Sequence, residues 1–324
     1  MRRAAIVAAV LLAASAARAA APRRVAIPLS GGGSAVAFHD LVFAPRLGRM
    51  LASGGRAGRI FLVDVSSRGV ENVAGFAEGI SADGAADGAL AVDRASMTLV
   101  LADPRTGSFA ASAALAFAPG TVRYAASTRE AWVTEPEEER IEIFAVVEAT
   151  SSPSLRHASF ILVQGGPESL VIDGARGRAY TNLREGMTLA IDLQTHETIA
   201  RLPNGCKESR GLALDEKAGR LFTACAEGKV VVLDATREGR MLSLWTTSAG
   251  LDAVAYGAAP RRLYVPNAAA ADLSALDVAP DGKLSPAWTA RTAEGARCAA
   301  ADDRGGVWVC DPGRGRLLLF QDAR

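Results

Sequence analysis

Three stretches of the chain carry one pattern in different letters: "RAYTNLREGMTLAIDL" from Arg178, "RLFTACAEGKVVVLDA" from Arg220 and "RRLYVPNAAAADLSALDV" from Arg261. Each reads as a short strand with an aromatic residue, a polar turn, and a second apolar strand closing on or near Asp. A unit of this size, recurring every roughly 40–45 residues, is four short strands that cannot bury both sheet faces alone. Such units must stack on one another. Runs such as "ESLVID", apolar on both faces, agree with sheets packed face to face.

Counting back from each aromatic strand places the innermost strand of each unit. The units then start near His39, Gly88, Gly120, Glu168, Arg210, Asp252 and Arg297. That predicts an all-β, seven-bladed β-propeller with four-stranded blades, a single domain over residues 23–324. The closing Asp recurs at Asp64, Asp192, Asp234, Asp277 and Asp322. In this count "GISADGAADG" is an extra loop of the first unit. The second unit is short, so that "GSFAASAALAFAPG" must serve as two strands and blade two risks a degraded outer strand. "EATSSPSLRHA" is a polar loop stretching the third unit.

After Arg297 the chain has residues for only three strands, ending in "RLLLFQD". The fourth is predicted to be "RRVAIPL" at residues 23–29, so that the two ends of the chain share one sheet and no edge is left open. "SGGGS" at 30–34 is then a crossover into blade one. As a phosphate cradle it lacks the Lys-Ser/Thr and the following helix.

The chain opens with "MRR", an Ala-rich apolar run and Ala17-Arg18-Ala19. This is the pattern of a secretory signal peptide over residues 1–19, cleaved after Ala19 or Ala21, and implies export to a bacterial periplasm or beyond. The run is too short for a spanning helix, and no membrane insertion is expected. With a formal net charge of +1 and no basic block interleaved with aromatics, nucleic acid is not an expected partner.

The aromatic strands "AWVTEP", "AYTNLR", "RLYVPN" and "VWVCDP" resemble the Tyr-Val-Thr-Asn motif of YVTN-type propeller repeats. Residues 23–324 are similar to the exported bacterial proteins grouped as YncE-like. The resemblance implies the propeller fold; its motif is structural and names no chemistry. Blade one ("RMLASGG") and blade two ("TLVLADP") lack the aromatic.

Four cysteines in an exported chain favour disulfides. Cys298 and Cys310 face each other across the hairpin "CAAADDRGGVWVC", while Cys206 and Cys225 share one rim of blade five. Pairings Cys206–Cys225 and Cys298–Cys310 follow, each worth on the order of 3 kcal/mol in the chain-entropy account. Metal binding by these cysteines would need Cys-x-x-Cys or Cys/His spacing, which is absent.

The strand starts also ring the mouth of the central channel: His39, Gly88, Gly120 with Thr121, Glu168, Arg210, Asp252 and Arg297. Acid and base alternate over blades four to seven. The ring reads either as a self-satisfied girdle of ion pairs or as a ligand site. In the latter, Arg210 and Arg297 grip an anion while Glu168, Asp252 and His39 read donors. The leading expectation is a non-enzymatic, monomeric binding or interaction module for a small anionic ligand or a protein segment, with no cofactor. The enzymatic alternative is a metal-dependent hydrolase of the sugar-lactonase kind, with Glu168, Asn182 and Asp252 as ligands and His39 as base. A third reading is a scaffold within an envelope complex.

Other features carry less. "EPEEER" (135–140) reads as a solvated turn, and Asp83 and Asp87 lack the acid density of a calcium loop. His157 and His196 fall on a loop and beyond a third strand, and no Gly-x-Ser-x-Gly elbow occurs.

Overall fold

A computed structural model of the chain describes residues 21–29, 34–85, 88–147 and 153–322. The expected signal peptide at 1–19, most of the "SGGGS" crossover and Asp87 lie outside the described residues. The described residues form seven four-stranded antiparallel sheets, each following chain order from axis to rim except the seventh. Every innermost strand packs against the innermost strands of both neighbours, and the seventh against the first. The protein is a seven-bladed β-propeller. Among the described residues no helix is long and apolar enough to cross a membrane.

The seventh sheet closes the ring as the strand count requires. Arg23–Pro28 runs antiparallel to Arg316–Gln321 as the outermost strand, with Ile27 opposite Leu317 and Val25 opposite Leu319. Ile27 then enters a buried cluster shared by blades seven and one, which also holds Phe38, Phe61 and Trp308. Six further clusters fill the remaining seams between blades. The core is therefore seven wedges of side chains rather than one central mass.

The second strands begin at Arg49, Gly88, Glu130, Arg178, Arg220, Arg262 and Gly306. Two residues into each stands the repeat's large side chain: Trp132, Tyr180, Phe222, Tyr264 and Trp308, all buried. Blades one and two carry Leu51 and Leu90 there instead. That substitution explains where the sequence count slips. With no aromatic to mark the second strand of blade two, "TLVLADP" is taken for it, although Thr98–Asp103 is the third strand. "GISADGA" is accordingly the innermost strand, Gly79–Ala85, and not a loop. Gly88 starts the second strand, directly across from Ala85 at the rim opposite the channel mouth. Blade two keeps four full strands, and Ser108–Ala114 is its outer one. In blade three, the strand Ser154–Leu162 takes in the last five residues of the expected polar loop, including His157.

The closing Asp residues act on the turns that follow them. Asp64 accepts the backbone N–H groups of Ser66 and Ser67, and Asp192 those of Gln194 and Thr195. Asp103 does the same for Arg105 in blade two. Both expected disulfides are present, with Cα separations of 5.2 Å for Cys206–Cys225 and 5.6 Å for Cys298–Cys310.

Because Ile27 stitches the ring's last seam, Ile27→Ala should lower the unfolding free energy by roughly 2–5 kcal/mol. Chemical denaturation checks this. A loss no larger than that of an exposed surface substitution would mean that the first strand does not close the ring.

Candidate functional site

The innermost strands start on one face of the disc, and there they surround a cavity of about 580 Å³. His39, Gly120, Thr121, Glu168, Arg210, Asp252 and Arg297 all line it. Gly88 does not, for the reason given above; Ile80 and Ser81 take its place in blade two. The cavity also recruits Asp40, Arg94, Arg123, Glu137 and Arg184. Of these, Asp40 adjoins His39 in sequence, and Arg184 follows directly on the strand "AYTNL" of blade four. Arg94 sits just past the second strand of blade two, so the misplaced strands of that blade hide it.

The charges around the mouth are not evenly satisfied. On the side of blades four and five the pairing is complete. Both oxygens of Glu168 are engaged, one by Arg184 Nε and the other by Arg210 Nη1 at 3.5 Å. Arg184 reaches on to Glu137 at 2.9 Å, and Arg210 to Glu208. This sector is an ion-pair girdle.

The floor toward blades one to three is also closed. Arg123 holds Asp40 through its two terminal guanidinium nitrogens, at 2.9 and 3.3 Å. The Ser81 hydroxyl donates to Asp40 at 2.5 Å and accepts the Val122 N–H at 3.1 Å. Asp83, one turn of the pleat deeper, accepts N–H groups from Gly84 and Tyr124, each at 2.8 Å. Burial drives the pKa of Asp83 above the usual carboxylate range, against the pull of Arg123. It is a half-buried acid spent on backbone N–H groups.

The remaining sector, from blade seven across to blade two, is different. Arg297 donates to the Phe38 carbonyl at 3.2 Å, and its carboxylate neighbour Asp252 stands off at 3.8 Å. Arg94 spends only Nε, on the Pro119 carbonyl at 3.2 Å, and makes no ion pair among the described residues. Between them lies His39, whose ring makes no hydrogen bond among the described residues. Burial, then Arg297 and Arg94, hold its pKa below the ordinary 6.5. The imidazole is therefore neutral at neutral pH and can donate from one nitrogen.

The metal alternative is not assembled. Asn182 is fully buried and away from the cavity. Its amide donates to the Arg210 and Gly211 carbonyls, both at 3.2 Å, and its oxygen accepts from Thr188 at 2.7 Å. It ties blade four to blade five. Glu168 is saturated by arginines, which oppose a cation. Among the described residues no three His, Cys, Asp or Glu side chains gather as a metal set.

The lesser candidates are structural. In "EPEEER" the turn is Pro136–Glu138, but Glu135 is fully buried against Arg140 and accepts the Phe117 N–H at 3.1 Å. With Glu142, which accepts the Ala116 N–H at 3.2 Å, it fastens the segment leading into blade three. His157 packs on Phe144 and His196 on Trp132, in clusters on opposite faces of blade three.

No protein-family model matches the chain, and no curated protein is detectably similar to it in sequence. Solved structures match in fold. The chain is similar to a chain of hydrazine synthase from Kuenenia stuttgartiensis (TM-score 0.74, 10% identity, 91% of this chain and 97% of that one). It is similar to a chain of the mitotic checkpoint complex (0.75, 11%, 99% of each). It is also similar to the β-propeller domain of Cps50 (Swd1) from Myceliophteria thermophila (0.74, 12%, 92% and 99%). At such identities the likeness establishes the propeller fold alone.

The His39 environment gives a pH signature. Its lowered native pKa means the folded state binds this proton more weakly than the unfolded chain. The His39 contribution to stability is thus full above pH 6.5 and is lost as pH falls from 6.5 toward the native value. In an NMR titration His39 should titrate below 6.5, and Arg297→Met should move it back upward. An unshifted His39 would place the two arginines elsewhere.

Proposed function

We propose that this propeller is an exported, non-enzymatic binding module whose channel mouth takes the anionic group of a small ligand or a protein segment. The observation that carries the reading is the open sector: Arg94 without an ion pair among the described residues, Arg297 only loosely paired, and neutral His39 between them. Both arginines are exposed at the mouth, where their guanidinium groups can form charge-assisted hydrogen bonds to an incoming anion. A carboxylate or phosphate seated there would accept from both arginines and from the imidazole. The cavity volume suits a small molecule, within the roughly 300–1,000 Å³ of ligand pockets.

Export is part of the proposal. It rests on the "MRR"-plus-apolar opening with Ala17-Arg18-Ala19, and on two disulfides, which fit an oxidising compartment. Kinship with YVTN-type, YncE-like repeats belongs here too, carried by the aromatic second strands.

Thermal unfolding with citrate and with inorganic phosphate, against sodium chloride at matched ionic strength, tests the site. Either anion should raise Tm beyond the salt control. Arg94→Met should abolish that rise while leaving Tm without ligand unchanged. Arg210→Met should lower Tm in the absence of ligand, because it breaks the girdle. No anion-specific rise in the wild type, or one that survives Arg94→Met, rejects the site.

A further inference from the structure

Propeller blades end in an edge strand with unpaired N–H and C=O groups, and most proteins guard such edges with charge or proline. Six of the outer strands here follow that rule. They carry Arg23 and Arg24, Glu71, Arg156, Arg201, Arg240, and Arg291 with Pro286. The outer strand of blade two, Ser108–Ala114, carries neither. It lies in a stretch without a single charged residue between Arg105 and Arg123. Ala110, Ser112 and Ala114 are exposed along it, and it has one sheet neighbour, the third strand of its own blade.

The surface toward blade three exposes large apolar side chains, with the Arg140 guanidinium lying over the Phe117 and Phe160 rings. Of the eight large hydrophobic side chains exposed among the described residues, five sit on blades two and three: Met97, Phe109, Phe117, Phe160 and Leu162. Leu162 is 73% exposed and Phe160 52%. Such clustering on one flank marks a contact surface rather than scattered surface apolarity.

We infer that this edge is a homodimer interface, in which Ser108–Ala114 pairs antiparallel with the same strand of a second copy. An isologous contact brings each strand against its own reversed image. A charge that the register brings to the two-fold axis meets its own copy there. Only the blade-two edge is free of that repulsion in every register. Its small Ala and Ser side chains let the two backbones reach ladder distance, and the flanking Phe and Leu side chains then lose water. The inference is independent of the ligand reading, since the mouth lies at the axis and this edge at the rim, and its test decides between a dimer and the monomer expected from the sequence.

Sedimentation equilibrium of the full chain checks it. The wild type should show twice the monomer mass, with dissociation only on dilution. Ser112→Lys, at an exposed position, should yield monomers. Leu244→Lys, on the outer strand of blade five, should leave the dimer intact. Hydrogen exchange on the wild type gives a second readout that needs no variant: amides within 108–114 should be protected in concentrated and not in dilute protein. A wild type monomeric at every soluble concentration overturns the inference. So does a dimer that persists in Ser112→Lys, or a ladder of higher oligomers, because isologous pairing closes at two.

Discussion

A four-stranded sheet with apolar side chains on both faces has no stable existence in water by itself. Each blade of this protein is such a sheet, and each is stabilised only by the wedge of side chains it shares with the blade on either side. An open stack would leave two apolar faces uncovered at its ends. Closing the stack into a ring removes both, and the closing seam is the one the chain cannot make from consecutive residues. The first strand therefore travels to the last sheet, where its Ile27 and Val25 stand opposite Leu317 and Leu319. The geometry of every other site, including the mouth, depends on that seam holding the circumference fixed.

A ring of seven strand starts at an axis raises a second physical problem. Polar groups there are too close to solvent to be replaced by a packed core and too crowded to be hydrated freely. Over blades four and five the chain solves this with a continuous chain of ion pairs, from Glu137 through Arg184 and Glu168 to Arg210 and Glu208. Over blades one to three it solves it with Asp40, Ser81 and Arg123, one partner from each blade. These two sectors fix the frame. What remains, Arg297, His39 and Arg94, is the part of the mouth where donors outnumber acceptors. The girdle occupies one sector of the ring, and the proposed ligand site is the sector beside it.

How much of this was legible in the residues depends on side-chain size at one position. Where the second strand carries Trp, Tyr or Phe, from Trp132 to Trp308, the repeat is visible, and strand starts, disulfides and mouth residues fall where the spacing puts them. Leu90 is large enough to fill the same wedge, so the fold tolerates it, yet it leaves no signal distinct from the apolar residues around it. The register therefore slipped by one strand in blade two, taking Gly88 to the wrong rim and hiding Ser81, Asp83 and Arg94. Asn182 failed for another reason. Its place in an aromatic strand resembles a ligand position, but the second strand faces neighbouring blades rather than the axis, and its amide is spent on the carbonyls of blade five.

Blade two is thus where the repeat is least faithful, and it is also where the unusual chemistry collects. A repeat motif records what every blade needs to pack: an aromatic wedge, a turn-capping Asp, a charged outer edge. A blade that departs from the motif is under some other constraint. Here the departures are specific in position. Arg94 enters the mouth with no counter-ion among the described residues, Asp83 places an acid in a desolvated channel wall, and Ser108–Ala114 drops the charge that the other six edges keep. The first two face the axis and the third faces the rim, so a single relaxation of packing does not account for all of them. The two contacts proposed above, one anionic at the axis and one strand-like at the rim, would account for Arg94 and for Ser108–Ala114, while Asp83 is spent on the backbone N–H groups of Gly84 and Tyr124.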